Sequence, residues 1–98
     1  MKKYQVNISP TAEDDITRRY LQIAGDAPQN ALNWYMSIIE AIENLDQMPQ
    51  RCPVAPEDEH IRMGIRHLII GHYRILFVIG DDTVEVLHIR HHSMERKL

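Results

Sequence analysis

The sequence has few of the features that mark secreted, membrane-bound or disulfide-rich proteins. It contains one cysteine, Cys52, so no internal disulfide can form. It has no run of about 18 apolar residues, so no membrane-spanning helix is expected. The first residues, MKKYQVNISP, include two lysines but no apolar segment, which argues against a secretory signal. These absences predict a cytoplasmic protein, and 98 residues suffice for one domain that covers the whole chain, 1–98.

A large excess of charge of one sign is also lacking, because the net charge is only −3. This value argues against a protein that binds polyanions indiscriminately. The distribution is uneven, however: acidic residues dominate the first 60 positions, whereas most of the histidines and arginines follow Ile61. A basic patch is therefore expected within the C-terminal third of an otherwise acidic molecule.

That C-terminal third contains the clearest structural pattern. Three runs rich in β-branched, leucine and aromatic residues, Ile65–Ile70, Tyr73–Ile79 and Val84–His91, are separated by Gly71-His72 and by a second turn at 80–83. Such runs, bounded by Gly and Asp, are typical of strands joined by tight turns. We therefore predict a three-stranded antiparallel meander.

The preceding residues predict one more strand and two helices. Residues 4–8 alternate apolar and polar side chains, as a short strand does. Ser9 and Pro10 are typical of the N-cap and first position of a helix, which should end near Gly25-Asp26. A second helix is expected from Pro28 to Met48, with Trp34 and Tyr35 among its buried residues.

The segment Gln50–Met63 contains two prolines and an acidic cluster, and an ordered loop is predicted there. The final six residues, SMERKL, are expected to form a short mobile tail. The predicted fold is therefore α+β with the order β-α-α-β-β-β. The N-terminal strand joins the antiparallel meander, and the helical hairpin packs on one face.

The turns set a predicted register. If residues 71–72 form a two-residue loop, Ile69 faces Arg74. If the second turn is centred on residues 81–82, Arg74 also faces Ile89. Directly opposed residues share a face of the sheet, and so do residues two apart along a strand. By this register the cationic side chains that share one face are His67, Arg74 and His91, while Arg66 and Arg90 lie on the other.

These residues resemble those of a known family, the RelE/ParE superfamily of toxins from type II toxin–antitoxin systems, often labelled plasmid stabilisation proteins. The similarity covers nearly the whole chain. Its clearest parts are the segment ISPTAEDDI, the pattern A-x-x-W-x-x-x-I-x-x-A-I-x-x-L from Ala31 to Leu45, the segment G-x-Y-R-I-L-F and the ending HIRH. The resemblance implies a growth-inhibiting toxin that its cognate antitoxin holds inactive in a hetero-oligomer, with no membrane partner.

The resemblance also implies two different targets. RelE-like members cleave mRNA on the ribosome without a cofactor or metal, as endoribonucleases, whereas ParE-like members bind DNA gyrase and are not enzymes. By similarity to the ribonucleases, the candidate catalytic residues are Arg74, His91, His92 and His67. Arg would bind the phosphate and His would transfer protons, as cleavage through the 2′-hydroxyl requires. A third possibility is a degenerate member that binds only its antitoxin.

Structural interpretations of the same residues remain open. Arg74 could pair with an acidic residue of the loop or of the first helix, and the histidines could be solvated strand residues. The sequence departs from the ribonuclease pattern because it has no clear tyrosine near the C-terminus and no lysine cluster on the first meander strand. No metal site is predicted, because His88 and His91 are three residues apart on a strand and Cys52 has no CxxC partner.

Overall fold

The computed structural model describes residues 2–92, and the predicted tail at 93–98 lies outside this part of the chain. Its seven main elements are β1 (Gln5–Ile8), α1 (Pro10–Asp26), α2 (Pro28–Glu43), α3 (Asp58–Ile61), β2 (Arg66–Ile70), β3 (Tyr73–Ile79) and β4 (Thr83–His91). The four strands form one sheet in the order β1-β4-β3-β2. Strand β1 pairs with β4 in parallel, and the other neighbours are antiparallel. The predicted α+β fold is thus confirmed, with the N-terminal strand added to the meander.

The start of α1 is fixed by Ser9. Its hydroxyl oxygen accepts a hydrogen bond from the Ala12 backbone N–H at 3.0 Å, the bond expected of an N-cap residue. The same hydroxyl donates to the Leu87 carbonyl oxygen at 3.1 Å, and the Ser9 N–H donates to the Val86 carbonyl oxygen. The first residue of the helical hairpin is therefore attached directly to β4.

Helix α2 is shorter than predicted. It ends at Glu43 and is followed by a 3₁₀ turn, Asn44–Asp46. Met48, predicted as helical, adopts a left-handed conformation with φ 49°, because the following Pro49 disfavours the right-handed helical region. The predicted burial of Tyr35 is also wrong, since its side chain is 41% exposed. Trp34 is half-buried, and its ring packs edge-on against Tyr73 at 5.3 Å.

Both faces of the sheet are covered. The larger core lies between the hairpin and the sheet and includes Ile16, Ile38, Ile42, Phe77 and Val86. A smaller apolar cluster lies on the opposite face, where Ala55, Ile65 and Leu76 are buried and Ile61, Val78 and Leu87 pack around them. The segment predicted as a loop, which contains α3, supplies part of this second layer. Within residues 2–92, no helix is long and apolar enough to cross a membrane.

Candidate functional site

The arrangement of the candidate residues depends on an irregularity in β4. Strands β2 and β3 pair in the predicted register, with Ile69 opposite Arg74. Strands β3 and β4 begin as predicted, with Ile79 opposite Val84, but the register shifts after Phe77 pairs with Val86. His88 then lies opposite Leu76, so that Leu87 is an additional residue in β4. This is a β-bulge, which reverses the faces of the residues that follow it.

The bulge corrects three predictions. Arg74 pairs with Arg90, not with Ile89, and His91 pairs with Tyr73. Ile89 belongs to the core beneath the helical hairpin. The ring of His91 packs edge-on against the Tyr73 ring at 5.2 Å, and the Tyr73 side chain packs against that same core. His91 is therefore on the opposite face from Arg74, and Arg90 is on the same face as Arg74.

The guanidinium of Arg74 is fully buried and is engaged by a carboxylate. Arg74 Nη1 donates to Glu57 Oε1 at 3.0 Å and Nη2 donates to Glu57 Oε2 at 2.5 Å. Neither side chain is exposed to solvent. This is the two-point geometry in which the planar guanidinium matches a carboxylate. Of the interpretations open from sequence, the structure therefore confirms pairing of Arg74 with an acidic residue of the loop.

Glu57 is ionised in this environment. Burial raises the pKa of a carboxyl group, but the hydrogen bonds from Arg74 and from the backbone, together with the charges of Arg74 and Arg90, more than offset that effect. The pKa of Glu57 consequently lies below its usual range. The buried unit is thus an ion pair, and a second cation, Arg90, also favours the negative charge.

His67 completes this cluster on the face away from the helices. Arg74 Nη1 lies 3.1 Å from His67 Nδ1. Because a guanidinium can only donate hydrogen bonds, Nδ1 must be the acceptor, so the ring carries its proton on Nε2 and is neutral. A neutral imidazole beside a buried ion pair completes the hydrogen bonding of Arg74 Nη1, which also bonds Glu57.

The loop that carries Glu57 is held in place by its neighbour Asp58. Asp58 Oδ1 accepts hydrogen bonds from the backbone N–H groups of Met63, Gly64 and Ile65, at 2.8, 2.8 and 2.9 Å. The bond from Ile65 leads the effects that lower the pKa of Asp58. The sequence contained a signal for these roles, the acidic run 57–59, but did not distinguish which carboxylate would face the sheet and which would close the turn.

The remaining candidates lie apart from the buried ion pair. His92 is exposed just beyond β4, and its N–H donates to the His72 carbonyl oxygen at 2.6 Å. Arg66 lies on the face opposite Arg74, as predicted, and donates to the Cys52 carbonyl oxygen at 2.6 Å. Burial raises the pKa of the Cys52 thiol. Across residues 2–92, no three His, Cys, Asp or Glu side chains are arranged to hold a metal ion.

The structure therefore brings together His67 and Arg74, and separates both from His91 and His92. In this arrangement the guanidinium of Arg74 cannot contact a phosphate without leaving Glu57, because all of its surface is covered. Removing one partner of a buried ion pair leaves an uncompensated charge and costs about 3–5 kcal/mol. The cluster as it stands is suited to holding the loop on the sheet.

Comparisons with known proteins agree on the kind of molecule. Residues 6–96 match the family model described as the ParE toxin of the type II toxin–antitoxin system parDE. A chain of the chromosomal ParDE system from P. aeruginosa superposes with a TM-score of 0.75 at 17% identity, covering 91% of this chain and 96% of that one. A chain of the RelBE2 toxin–antitoxin complex from Mycobacterium tuberculosis gives a TM-score of 0.66 at 26% identity, with 93% of each chain covered. No curated protein matches the sequence.

Proposed function

Because the chain belongs to the ParE toxin family of type II toxin–antitoxin systems, we propose that it inhibits growth by binding a protein target. DNA gyrase is the target that the family resemblance implies. The match to the family model and the likeness to the ParDE fold support this proposal. Cleavage of mRNA is the alternative, and the experiment below distinguishes the two.

The observation that carries the proposal is the buried pair of Arg74 and Glu57. A ribonuclease built on these residues needs a cation that reaches the scissile phosphate and an acid or base close to it. Arg74 is inaccessible and bound to Glu57. His67 lies beside Arg74, but its Nδ1 accepts a hydrogen bond from Arg74 Nη1, and His91 lies across the sheet against Tyr73. A mechanism of binding requires neither group.

The test is expression of the chain without its antitoxin, with two separate readouts. We expect plasmid supercoiling to change while a pulse of labelled amino acid is still incorporated into protein. An immediate stop in translation, with cleaved mRNA and unchanged supercoiling, would contradict the proposal. A chain that leaves growth unaffected would also contradict it and would indicate a family member that binds only its antitoxin.

We further propose that the antitoxin adds an extended segment to the outer edge of β2. Residues 53–55 already cover the first half of this edge: the His67 N–H donates to the Pro53 carbonyl oxygen at 3.1 Å, and the Ala55 N–H donates to the Ile65 carbonyl oxygen at 2.8 Å. By the alternation along a strand, the N–H and C=O of Ile69 also point outward. They have no partner within residues 2–92, and an open edge of this kind is a template for strand addition.

Grooves flank this edge on both faces of the sheet. On the helix side a groove of about 300 Å³ is lined by Glu40, Asn44, Ile70 and others. On the other side a groove of about 380 Å³ is lined by Pro53, His67 and Ile69, and the Ile69 side chain is 55% exposed. Successive side chains of an added strand point to alternate faces, so they would enter the two grooves in turn.

Substitution of Ile69 tests this contact. Ile69→Pro removes the outward N–H without removing a hydrogen bond to β3, and its ring obstructs an added strand. Ile69→Ala is the matched control, because it keeps the N–H. The antitoxin is sought in the adjacent small reading frame, and its affinity for each variant is measured by calorimetry. We expect a loss of at least tenfold for Ile69→Pro relative to Ile69→Ala. Equal affinities would contradict strand addition at this edge and leave the proposed target untouched.

A further inference from the structure

A cleft between α1 and the hairpin of β3 and β4 contains charged and aromatic side chains that have no part in the proposed function. Its volume is about 180 Å³, and it lies on the helix side of the sheet. Tyr73 and Ile89 provide apolar surface, and Arg18, Arg19 and His91 bring potential positive charge. The bulge in β4 creates this combination, since it turns Ile89 and His91 toward α1.

Arg19 is held in position at this cleft by neutral partners. Its Nε donates to the hydroxyl of Tyr73, and its Nη1 donates to Gln22 Oε1 at 3.1 Å. The guanidinium carbon lies 5.5 Å from the centre of the Tyr73 ring. Within residues 2–92, no carboxylate oxygen lies within 4.0 Å of the Arg19 guanidinium nitrogens. This half-buried cation is therefore fixed in orientation but has no counter-charge from the described residues.

The other charges around the cleft are already paired. Arg18 forms ion pairs with Asp14 and, at 3.6 Å, with Asp15. Asp15 supplies the carboxylate in the lining of the cleft, and its Oδ2 accepts the Ile89 N–H at 3.0 Å and lies 3.6 Å from His88 Nδ1. The positive charge of Arg19 is consequently available to a ligand that carries a negative charge.

We propose that this cleft binds a carboxylate carried on an apolar group, as an acidic side chain in an extended segment of a partner protein presents it. Arg19 would pair with the carboxylate, for which a guanidinium is well matched. The surface of Tyr73 and Ile89 would take the apolar part. A bare phosphate would leave that apolar surface exposed to water, so the lining favours the apolar carboxylate.

The first test uses small probes on the full chain. Binding of 3-phenylpropionate is followed by chemical-shift changes of Tyr73, Ile89 and the Arg19 side chain, with 3-phenylpropionamide and inorganic phosphate as comparisons. For a ligand of this size we expect a dissociation constant of about 1 mM. The amide should bind at least tenfold more weakly, because it cannot form the charged pair. Equal binding of the amide, or tighter binding of phosphate, would overturn the proposal on the unaltered protein.

The second test uses variants. Arg19→Gln should weaken 3-phenylpropionate binding at least tenfold. Arg18→Gln removes the same charge from the adjacent residue, which is already paired, and should change binding less than about threefold. Tyr73→Phe keeps the ring but removes the hydroxyl that orients Arg19, so an intermediate loss is expected. Equal effects of Arg19→Gln and Arg18→Gln would overturn the assignment to Arg19. Each of these failures leaves the supercoiling experiment, and thus the proposed function, unaffected.

Discussion

Glu57 and Arg74 form a two-point ion pair in which both side chains are completely buried, with Nη1–Oε1 and Nη2–Oε2 distances of 3.0 and 2.5 Å. The pair joins the segment before α3 to the middle of the sheet. It also occupies the one arginine that the resemblance to ribonucleases identified as a phosphate ligand. The pair stabilises the fold, and because it covers Arg74 it argues against RNA cleavage.

Replacing Glu57 by Gln should destabilise the protein strongly. The amide keeps the shape of the side chain but leaves the buried guanidinium of Arg74 without a negative charge, which costs about 3 kcal/mol. The free energy of unfolding is measured by urea denaturation. Glu59→Gln is the matched control, because Glu59 is exposed, and it should change stability by less than about 0.5 kcal/mol.

Replacing both partners should be far less harmful than replacing one. Glu57→Leu with Arg74→Met removes both charges of the buried pair, together with the Arg74 Nε–H, which has no acceptor in the described part of the chain. We expect most of the stability lost in Glu57→Gln to return. If the double variant is less stable than the single one, the pair contributes more than charge compensation and this account of it is wrong.

Protonation of Glu57 in acid should lower the stability of the fold. Its pKa in the folded protein lies below the unfolded value, so the folded state binds fewer protons than the unfolded chain. The contribution of Glu57 to the free energy of unfolding is complete above the unfolded pKa of about 4.3. It is lost as the pH falls through the lower pKa of the folded state. The depressed pKa of Asp58 acts in the same direction. Unfolding free energies between pH 7 and pH 3 should therefore fall more steeply for the natural protein than for Glu57→Gln. Parallel curves would contradict the prediction.

The tautomer of His67 gives a fourth prediction. The hydrogen bond from Arg74 Nη1 to His67 Nδ1 requires an unprotonated Nδ1. Long-range ¹H–¹⁵N correlation spectra at pH 7 should therefore show a neutral ring with its proton on Nε2. In the variant Arg74→Met this constraint is absent, so a mixture of tautomers is expected. A proton on Nδ1 in the natural protein would show that the contact with Arg74 is not a hydrogen bond.

The order of elements and the turns could be predicted from the sequence because their signals are local. Ser9 and Pro10 cap α1 as expected, and the two-residue loop before Tyr73 sets the pairing of β2 with β3. The face of His91 could not be predicted, since a bulge adds a single residue within an uninterrupted run of strand-forming residues. Alternation is unchanged up to Val86, and no Gly or Pro marks the point at which the register shifts.

The sequence predicts an acidic partner for Arg74 in the loop or in the first helix, but it does not identify the residue. The loop offers three consecutive acidic residues, Glu57, Asp58 and Glu59, and their order along the chain does not say which of them faces the sheet. Their roles differ because of geometry: Glu57 faces Arg74, Asp58 accepts the N–H groups of the following turn, and Glu59 is exposed. These contacts join residues far apart in sequence, which local patterns do not specify.

The bulge can be tested through Ile89. The shifted register places Ile89 in the core beneath the hairpin, where it is 7% exposed. Ile89→Ala should therefore destabilise the protein by about 2–4 kcal/mol. Ile69→Ala removes the same atoms from a side chain that is 55% exposed and should cost less than about 1 kcal/mol. Similar losses in the two variants, measured by urea denaturation, would contradict the register of β4.

The most direct test of the central claim, that this toxin acts by binding and not by RNA cleavage, is growth inhibition by the variant His91→Ala with His92→Ala. These are the best acid and base candidates in the chain, and neither is needed for a mechanism of binding. We predict that the variant, expressed without antitoxin, still inhibits growth and leaves cellular mRNA intact. Loss of inhibition in a variant that keeps the fold and still binds the antitoxin, together with cleaved mRNA in cells that express the natural protein, would contradict the account.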